Sequence, residues 1–340
     1  HAMRVAFDQG DLPGGELVGA RREWSLAEFR VWARSFRKSM LRPDGADGFV
    51  ITVANFKGGV SKTTTSLALA QGLSMRGHKV LLVDLDAQAS ASTLCGLVPN
   101  ADSTKEMTAL PLFMGDVETI DGSIQKTYWD GLDLVGANPQ LYGAEFVLPA
   151  RQKEDPGFEF WRVLDYGLDT ARRNYDVIII DTPPSLSYTT INAVMAADGV
   201  ILPCPPSSLD FASSSQFWGL LDDVANMLYS KTPVKKKFKF FNVLLTRVNN
   251  KSTSTAVVRD WMTAAYGDIM LPCEVPESSA TQNAAAEIGT VYDLPRGSMS
   301  SRTLNRAKDA YDHLVELVEA KIVKCWHSQK ASVEQSSAVN

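Results

Sequence analysis

Two lysines, a threonine and three aspartates stand in this chain at spacings that suit phosphoryl transfer to water. Residues 50–67 read VITVANFKGGVSKTTTSL: an apolar run, a loop with adjacent glycines, then Lys-Thr opening a helix-forming stretch. In such a loop the backbone around Lys57, Gly58, Gly59, Val60, Ser61, Lys62, Thr63 and Thr64 can turn its N–H groups onto phosphate oxygens. The helix N-terminus adds the positive end of its dipole. Lys62 would reach the β- and γ-phosphates of a nucleotide, and the Thr63 hydroxyl would ligate Mg²⁺. Two further runs supply acids. Val80–Asp86 reads VLLVDLD and places Asp84 and Asp86 at the end of an apolar strand; 177–184 reads VIIIDTPP and does the same for Asp181. Carboxylates at the ends of buried strands beside a phosphate loop are what a magnesium ion and an attacking water require.

The elements that must hold these groups follow from the hydrophobic pattern. Apolar runs of strand length fall at 49–54, 80–84, 132–135, 177–181, 199–203, 240–246 and 269–275, with helical stretches between them. Runs without polar alternation imply strands covered on both faces, and strand–helix alternation implies a mostly parallel sheet between helical layers. A last helix is predicted over 301–324, with Ala307, Tyr311, Leu314, Val315, Val318 and Ile322 on one face. Upstream, Ser25 and Glu28 form a capping-box signature for a short basic helix that Arg42-Pro43-Asp44-Gly45 breaks. The expected organisation is therefore an N-terminal basic helix and linker over 1–47, an α/β domain over 48–327, and a polar, unstructured tail over 328–340.

Composition narrows the class. At 340 residues, with 45% hydrophobic and 21% charged residues, the chain has the balance of a soluble globular protein. No apolar run approaches the ~18 residues of a membrane span, and the first residues lack a secretory core. Four widely spaced cysteines without CxxC spacing suit reduced thiols, and a cytoplasmic location is expected. The net charge of −5 hides two basic blocks. One runs from Arg21 to Arg42; the other, 231–259, carries eight Lys and Arg and no Asp or Glu.

Phe56–Thr64 resembles the deviant Walker A motif, KGGxxK[ST], of the ParA/MinD family of ATPases. The resemblance extends from about Phe49 to Val323 through VLLVDLDAQAS (80–90), WDGLDLVGANPQL (129–141), YDVIIIDTPPSL (175–186), GVILPCPPSSLD (199–210) and NVLLTRVNN (242–250). The wording is most similar to the larger plasmid- and chromosome-partition members. What it implies is a three-layer α/β/α P-loop NTPase fold, ATP and Mg²⁺ as ligands, and an ATP-driven sandwich homodimer. Lys57 matches the signature lysine that crosses to the partner's phosphates, and Lys62 and Thr63 match the phosphate lysine and the metal-ligating hydroxyl. Asp86 matches the acid that activates water, Asp84 supports the metal site, and Asp181 matches the Walker B acid. Thr182–Ser185 correspond to a switch segment. The resemblance further implies non-specific DNA binding on the nucleoid and a ParB-like partner that stimulates hydrolysis. Larger members carry a helix-turn-helix region before the ATPase domain; here only about 45 residues precede it, so that region is expected to be shortened or truncated in this sequence.

Two departures from the family pattern matter. Ser61 stands where the family has Gly; if the backbone there needs positive φ, its Cβ costs roughly 1–2 kcal/mol. After Pro276 the chain reads Glu277-Ser278-Ser279-Ala280, where the family places arginines. The DNA-contact candidates are Lys235, Lys236, Lys237, Lys251 and Arg259, since phosphate contact needs little beyond Lys and Arg. The acids interleaved along 309–323 argue against membrane anchoring. Two alternatives remain: a nucleotide-responsive transcriptional autoregulator using the N-terminal basic helix, and a MinD-like positioning ATPase.

Overall fold

The computed structural model describes residues 10, 12–98, 102–229, 236–295 and 297–337. Among the described residues there are ten strands: β1 (Glu16–Val18), β2 (Arg21–Glu23), β3 (Phe49–Val53), β4 (Val80–Asp84), β5 (Gln125–Lys126), β6 (Leu132–Val135), β7 (Val177–Asp181), β8 (Gly199–Cys204), β9 (Phe240–Val248) and β10 (Met270–Pro276). Eight of them form one sheet in the order β10-β9-β8-β3-β7-β4-β6-β5. Every pairing in it is parallel except that of β5 with β6. The seven strands expected from the apolar runs are all present, with ends within two residues of those read from the pattern.

Parallel strands need both faces covered, and the burial follows suit: every residue of β3, β4, β6, β7 and β8 is buried. One face packs against the helix Lys62–Met75 and the C-terminal helix Ser301–Ser337, in a core that includes Leu67, Leu73, Tyr311 and Val315. The opposite face packs against the segment 109–175 and the helix Tyr188–Ala196. The three-layer α/β/α arrangement is thereby realised. Gly72 lets the two helices of the first face meet closely, since a Cβ there would stand 2.4 Å from a Val315 methyl.

Three features differ from the expectation. Residues 16–23 form the small antiparallel hairpin β1–β2, whose residues are all exposed and carry no strand pattern. The C-terminal helix does not end near residue 324 but continues to Ser337, so the tail expected to lack structure from Ser328 is helical over 328–337. Lys, Ala, Gln and Glu in that stretch favour helix even without an apolar face. The N-terminal helix, Leu26–Phe36, has the predicted capping box at Ser25 and Glu28, but ends before Met40, which lies in a separate 3₁₀ turn, Lys38–Met40.

The N-terminal arginines face the body of the protein. Arg30 donates to the carbonyls of Ser74 (2.8 Å) and His78 (2.9 Å) and pairs with Asp130 at 2.5 Å; Arg34 donates to the Gly77 carbonyl. These carbonyls lie at and just beyond the C-terminal end of the helix Lys62–Met75, where a cation complements the negative end of the dipole. Arg37 joins Arg76 on the buried carboxylate of Glu319 (2.7 and 2.8 Å), whose second oxygen meets His78 at 2.8 Å. Arg42 pairs with Asp176 at 3.1 Å and donates to the carbonyls of Arg172, Tyr175 and Arg173.

Candidate nucleotide-binding site

Because β3, β4 and β7 are parallel and in register, their carboxyl ends meet on one edge. Asp84 and Asp181 are direct neighbours across β4 and β7, and Val53 of β3 lies beside Asp181. The loop 54–61 leaves β3 at that edge and is held from both sides. Asn55 donates to the Pro203 carbonyl and accepts from the Lys57 amide; the Thr246 hydroxyl donates to the Val60 carbonyl at 3.0 Å. Two residues carry the turn with positive φ, Gly59 at 73° and Ser61 at 75°. The backbone at Ser61 is thus left-handed, the condition under which its Cβ is costly. Ser61 is also the N-cap of the helix, and its side chain caps none of the first amides, which stay open toward the cavity.

Lys62 is buried, and its ammonium donates to the Lys57 carbonyl at 2.9 Å, so it lies inside the curl of the loop. Burial lowers its pKa, while the charges of Asp181 and Asp86 oppose that shift. The Thr63 hydroxyl donates to Asp181 Oδ2 at 2.7 Å and the Ser66 hydroxyl to Oδ1 at 2.8 Å. Asp84 is fully buried: Oδ2 accepts from the Ser92 amide and hydroxyl and Oδ1 from the Asp86 amide. Burial, and then the charge of Asp181, push the Asp84 carboxyl up; burial also pushes Asp181 up, against the hydrogen bonds of Thr63 and Ser66.

This donor set fits a hard divalent cation. A hydroxyl and a carboxylate oxygen meet at Thr63 and Asp181, with a fixed lysine beside them, and magnesium takes few protein ligands when phosphates supply the rest. Among the described residues there is no group of three or more His, Cys, Asp or Glu able to cage an ion. With both its oxygens engaged by the 86–92 turn, Asp84 is suited to positioning Asp86 rather than to direct ligation. Asp86 itself is half-buried, lines the cavity, and accepts from the Gln88 amide.

The cavity over this edge measures about 520 Å³, and its wall includes Gly58–Thr64 (Val60 excepted), Asp86, Pro184, Arg247, Pro276, Glu277 and Gln282. Three features of its surroundings were not assigned from sequence. Lys57 turns away from the loop and pairs with Asp210 at 2.6 Å. Asp210 is in turn hydrogen-bonded by Ser207. Arg247 adopts φ 52°, rare for a side chain of its size; its guanidinium donates to the Gly59 carbonyl at 3.0 Å and meets Glu277 at 3.5 Å across the opening. Asp210 lies in the quoted 199–210 run and Arg247 in the 242–250 run, but no spacing rule connects either with the loop.

The DNA-contact candidates do not converge. Lys235 lies outside the described residues. Lys236 is half-buried, and burial lowers its pKa against the pull of Asp165 and Asp198. Lys237 is exposed at the amino end of β9, and Lys251 is exposed beyond its carboxyl end. Nine residues of strand separate those ends by roughly 30 Å. Arg259 pairs with Glu274 at 3.0 Å and donates to Asn250.

A phosphate-type loop between a buried strand and a helix, with two acids at neighbouring strand ends, defines a P-loop nucleotide-binding protein. The AAA domain family model matches residues 48–234. Protein SopA of Escherichia coli K12 is 31% identical over 312 residues, covering 88% of this chain and 78% of that one. The chromosome partitioning protein ParA of Caulobacter vibrioides is 29% identical over 249 residues, covering 72% and 87%. Among solved structures, one described as a partition protein has a TM-score of 0.71 at 19% identity, covering 94% of this chain and 87% of that one, a likeness of fold. Cobyrinic acid a,c-diamide synthase of Mycobacterium smegmatis, with a bound ATP analogue and magnesium, has a TM-score of 0.60 at 27% identity, covering 79% and 93%. The chain belongs to the ParA/MinD-type partition ATPases.

Proposed function

We propose that the protein is a DNA-partition ATPase in which ATP binding drives a sandwich homodimer and hydrolysis, stimulated by a ParB-like partner, releases it. The observation that carries this reading is the Thr63–Asp181 pair set beside buried Lys62 under a loop with open amides. In that pocket Lys62 and the loop amides hold the phosphates. Asp181 orients Thr63, and a magnesium ion held by these two residues would supply charge neutralisation of the phosphate oxygens. Asp86, placed by Asp84, orients the attacking water. Phosphoryl transfer depends on positioning and positive charge, so a lysine arriving from a second protomer ties hydrolysis to assembly. Lys57 suits that task, because its bond to Asp210 keeps it off its own loop until a partner's phosphates compete for it.

DNA is the proposed cargo surface, with Lys251 the carboxyl-end contact; pairing two protomers doubles the patch and raises affinity in the ATP state. Support for a partition role over an operator-binding role comes from the N-terminal helix, whose Arg30, Arg34 and Arg37 are bound to the body of the protein. A membrane role has less support still, since Tyr311, Leu314, Val315, Val318 and Ile322 are buried in the core, and no helix among the described residues is long and apolar enough to cross a membrane.

The test is ATP turnover with and without DNA, for wild type, Lys57→Ala and Asp86→Ala, alongside DNA anisotropy with ATP, ADP and no nucleotide. The expected result is ATP-enhanced DNA binding, and an Asp86→Ala variant that binds ATP, assembles and does not turn over. Normal turnover by Asp86→Ala would remove the role given to that acid.

A further inference from the structure

The basic block 231–259 is one feature in sequence and two in space. One of its amino-end lysines, Lys239, meets a pair that the sequence places about eighty residues later. A cavity of about 380 Å³ at the amino end of β9 is lined by Lys239, Lys321 and Lys324, with Phe240, Cys325 and Ser328, and among the described residues no carboxylate stands in its wall. Lys321 and Lys324 are three apart on the C-terminal helix, hence neighbours on one face. The Lys321 ammonium sits 5.7 Å from the Phe240 ring, and Lys239 and Lys324 are exposed. None of the three makes an ion pair among the described residues. The carboxylate felt by Cys325 of the groove, Asp198, is already engaged: it pairs with Arg172 at 3.1 Å and accepts from the Val50 amide.

We propose that Lys239, Lys321 and Lys324 form a second DNA-backbone contact, at the end of the sheet opposite the nucleotide cavity, that works in every nucleotide state. The inference rests on the reading of DNA as the partner. Three unpaired ammoniums in a shallow groove can track successive phosphates of a strand without reading bases. A membrane surface fits less well, because no large apolar side chain is exposed within 236–240 or 321–329 to enter lipid. Strand β9 separates the groove from the cavity by roughly 30 Å, so nucleotide occupancy has no direct means of altering it. The protein's net charge of −5 gives no general attraction to DNA, so the contact must be local and steeply salt-dependent. Its effect would be a weak hold that persists after hydrolysis separates the dimer.

The experiment is fluorescence anisotropy of a short labelled duplex against salt concentration, without nucleotide and with ATP. It compares wild type, Lys321→Ala/Lys324→Ala, Lys239→Glu and Lys251→Ala. Each lost phosphate contact lowers the slope of log affinity on log salt by about 0.9, so the double variant should lose roughly 2. Its nucleotide-free affinity should fall three- to tenfold, with melting temperature and basal ATP turnover unchanged. Lys239→Glu, a single surface change, should weaken nucleotide-free binding in the same direction. Lys251→Ala should reduce only the increment gained with ATP. An unchanged slope and affinity in the double variant would overturn the second contact while leaving ATP-dependent binding intact. Absence of DNA binding in all states would instead remove the DNA reading itself. Loss of binding to vesicles containing anionic lipid, without loss on DNA, would also overturn the proposal in favour of a lipid surface.

Discussion

The two ends of the helix Lys62–Met75 show how differently one element can be finished. At its C-terminal end, at and just past the last turn, carbonyls receive Arg30 and Arg34, and the neighbouring buried carboxylate of Glu319 receives Arg37, Arg76 and His78. At the N-terminal end the cap residue is left-handed, the first amides have no side-chain partner, and Lys62 bonds a carbonyl of its own loop. One end is closed by the protein; the other is left for a ligand to close. Placing an anion at the open end is favoured by the dipole. The closed end contributes by holding the helix at a fixed depth against the sheet.

The largest expected effect comes from opening the closed end. Glu319→Ala leaves two arginines facing a void where a buried carboxylate had been, and loss of one partner from a buried ionic cluster costs about 3–5 kcal/mol. Chemical denaturation checks this, with ATP affinity measured under native conditions expected to change little. The pH dependence follows. Burial alone would raise the Glu319 carboxyl, but His78, Arg76 and Arg37 outweigh it and hold the pKa below the usual range. A depressed carboxyl contributes stability above its unfolded pKa of about 4.3 and loses it as acid carries the pH through the lower folded value. The gap between wild type and Glu319→Gln should therefore be full at neutral pH and narrow below about pH 4.

Next in size is damage at the open end. Lys62→Ala removes the ammonium that the loop encloses, and a charge-assisted contact of this kind is worth about 1.5–3 kcal/mol. Calorimetry should show ATP affinity reduced by roughly ten- to a hundredfold, with folding intact. Equal affinity would mean that the enclosed lysine does not meet phosphate, and the contrast between the two ends would lose its meaning. A smaller effect is expected at Asp210. Freeing Lys57 by Asp210→Asn removes a competitor for its ammonium, so dimer formation with ATP should shift to severalfold lower protein concentration, read by light scattering.

Much of this was legible from the residues. Strand ends and the loop follow from local runs, since four consecutive apolar residues closed by Asp have few other outcomes in an α/β chain. The acids Asp84 and Asp181 could be paired because parallel strands in register bring equivalent ends together. What could not be read was which opposite charge each side chain would find. The N-terminal arginines have the composition of a DNA-binding helix, yet their partners are carbonyls and acids up to 282 residues away. The block 231–259 reads as one feature when its charges are counted along the chain, although the strand expected at 240–246 runs through its middle and sets its two ends apart. Asp210 and Arg247 reach the loop only through the packing of β8 and β9, and the exposed hairpin β1–β2 has no buried face to impose a period.

The finest test concerns Ser61, where the open end carries its own strain. A residue with a Cβ at φ 75° costs about 1–2 kcal/mol relative to its right-handed conformation, while glycine pays no such penalty but loses more freedom on folding, about 0.5–1 kcal/mol. The two terms nearly offset, so Ser61→Gly should raise stability by less than about 1 kcal/mol, as read by thermal unfolding. Its effect on ATP affinity separates two origins of the strain. If the left-handed turn is imposed by the Val60 and Gly59 carbonyl bonds to Thr246 and Arg247, it persists without the side chain and ATP affinity stays within twofold. If the serine itself holds the loop in this shape, affinity falls despite the easier backbone. The first outcome is expected, because Ser61 makes no capping bond and the two carbonyl bonds come from a different strand.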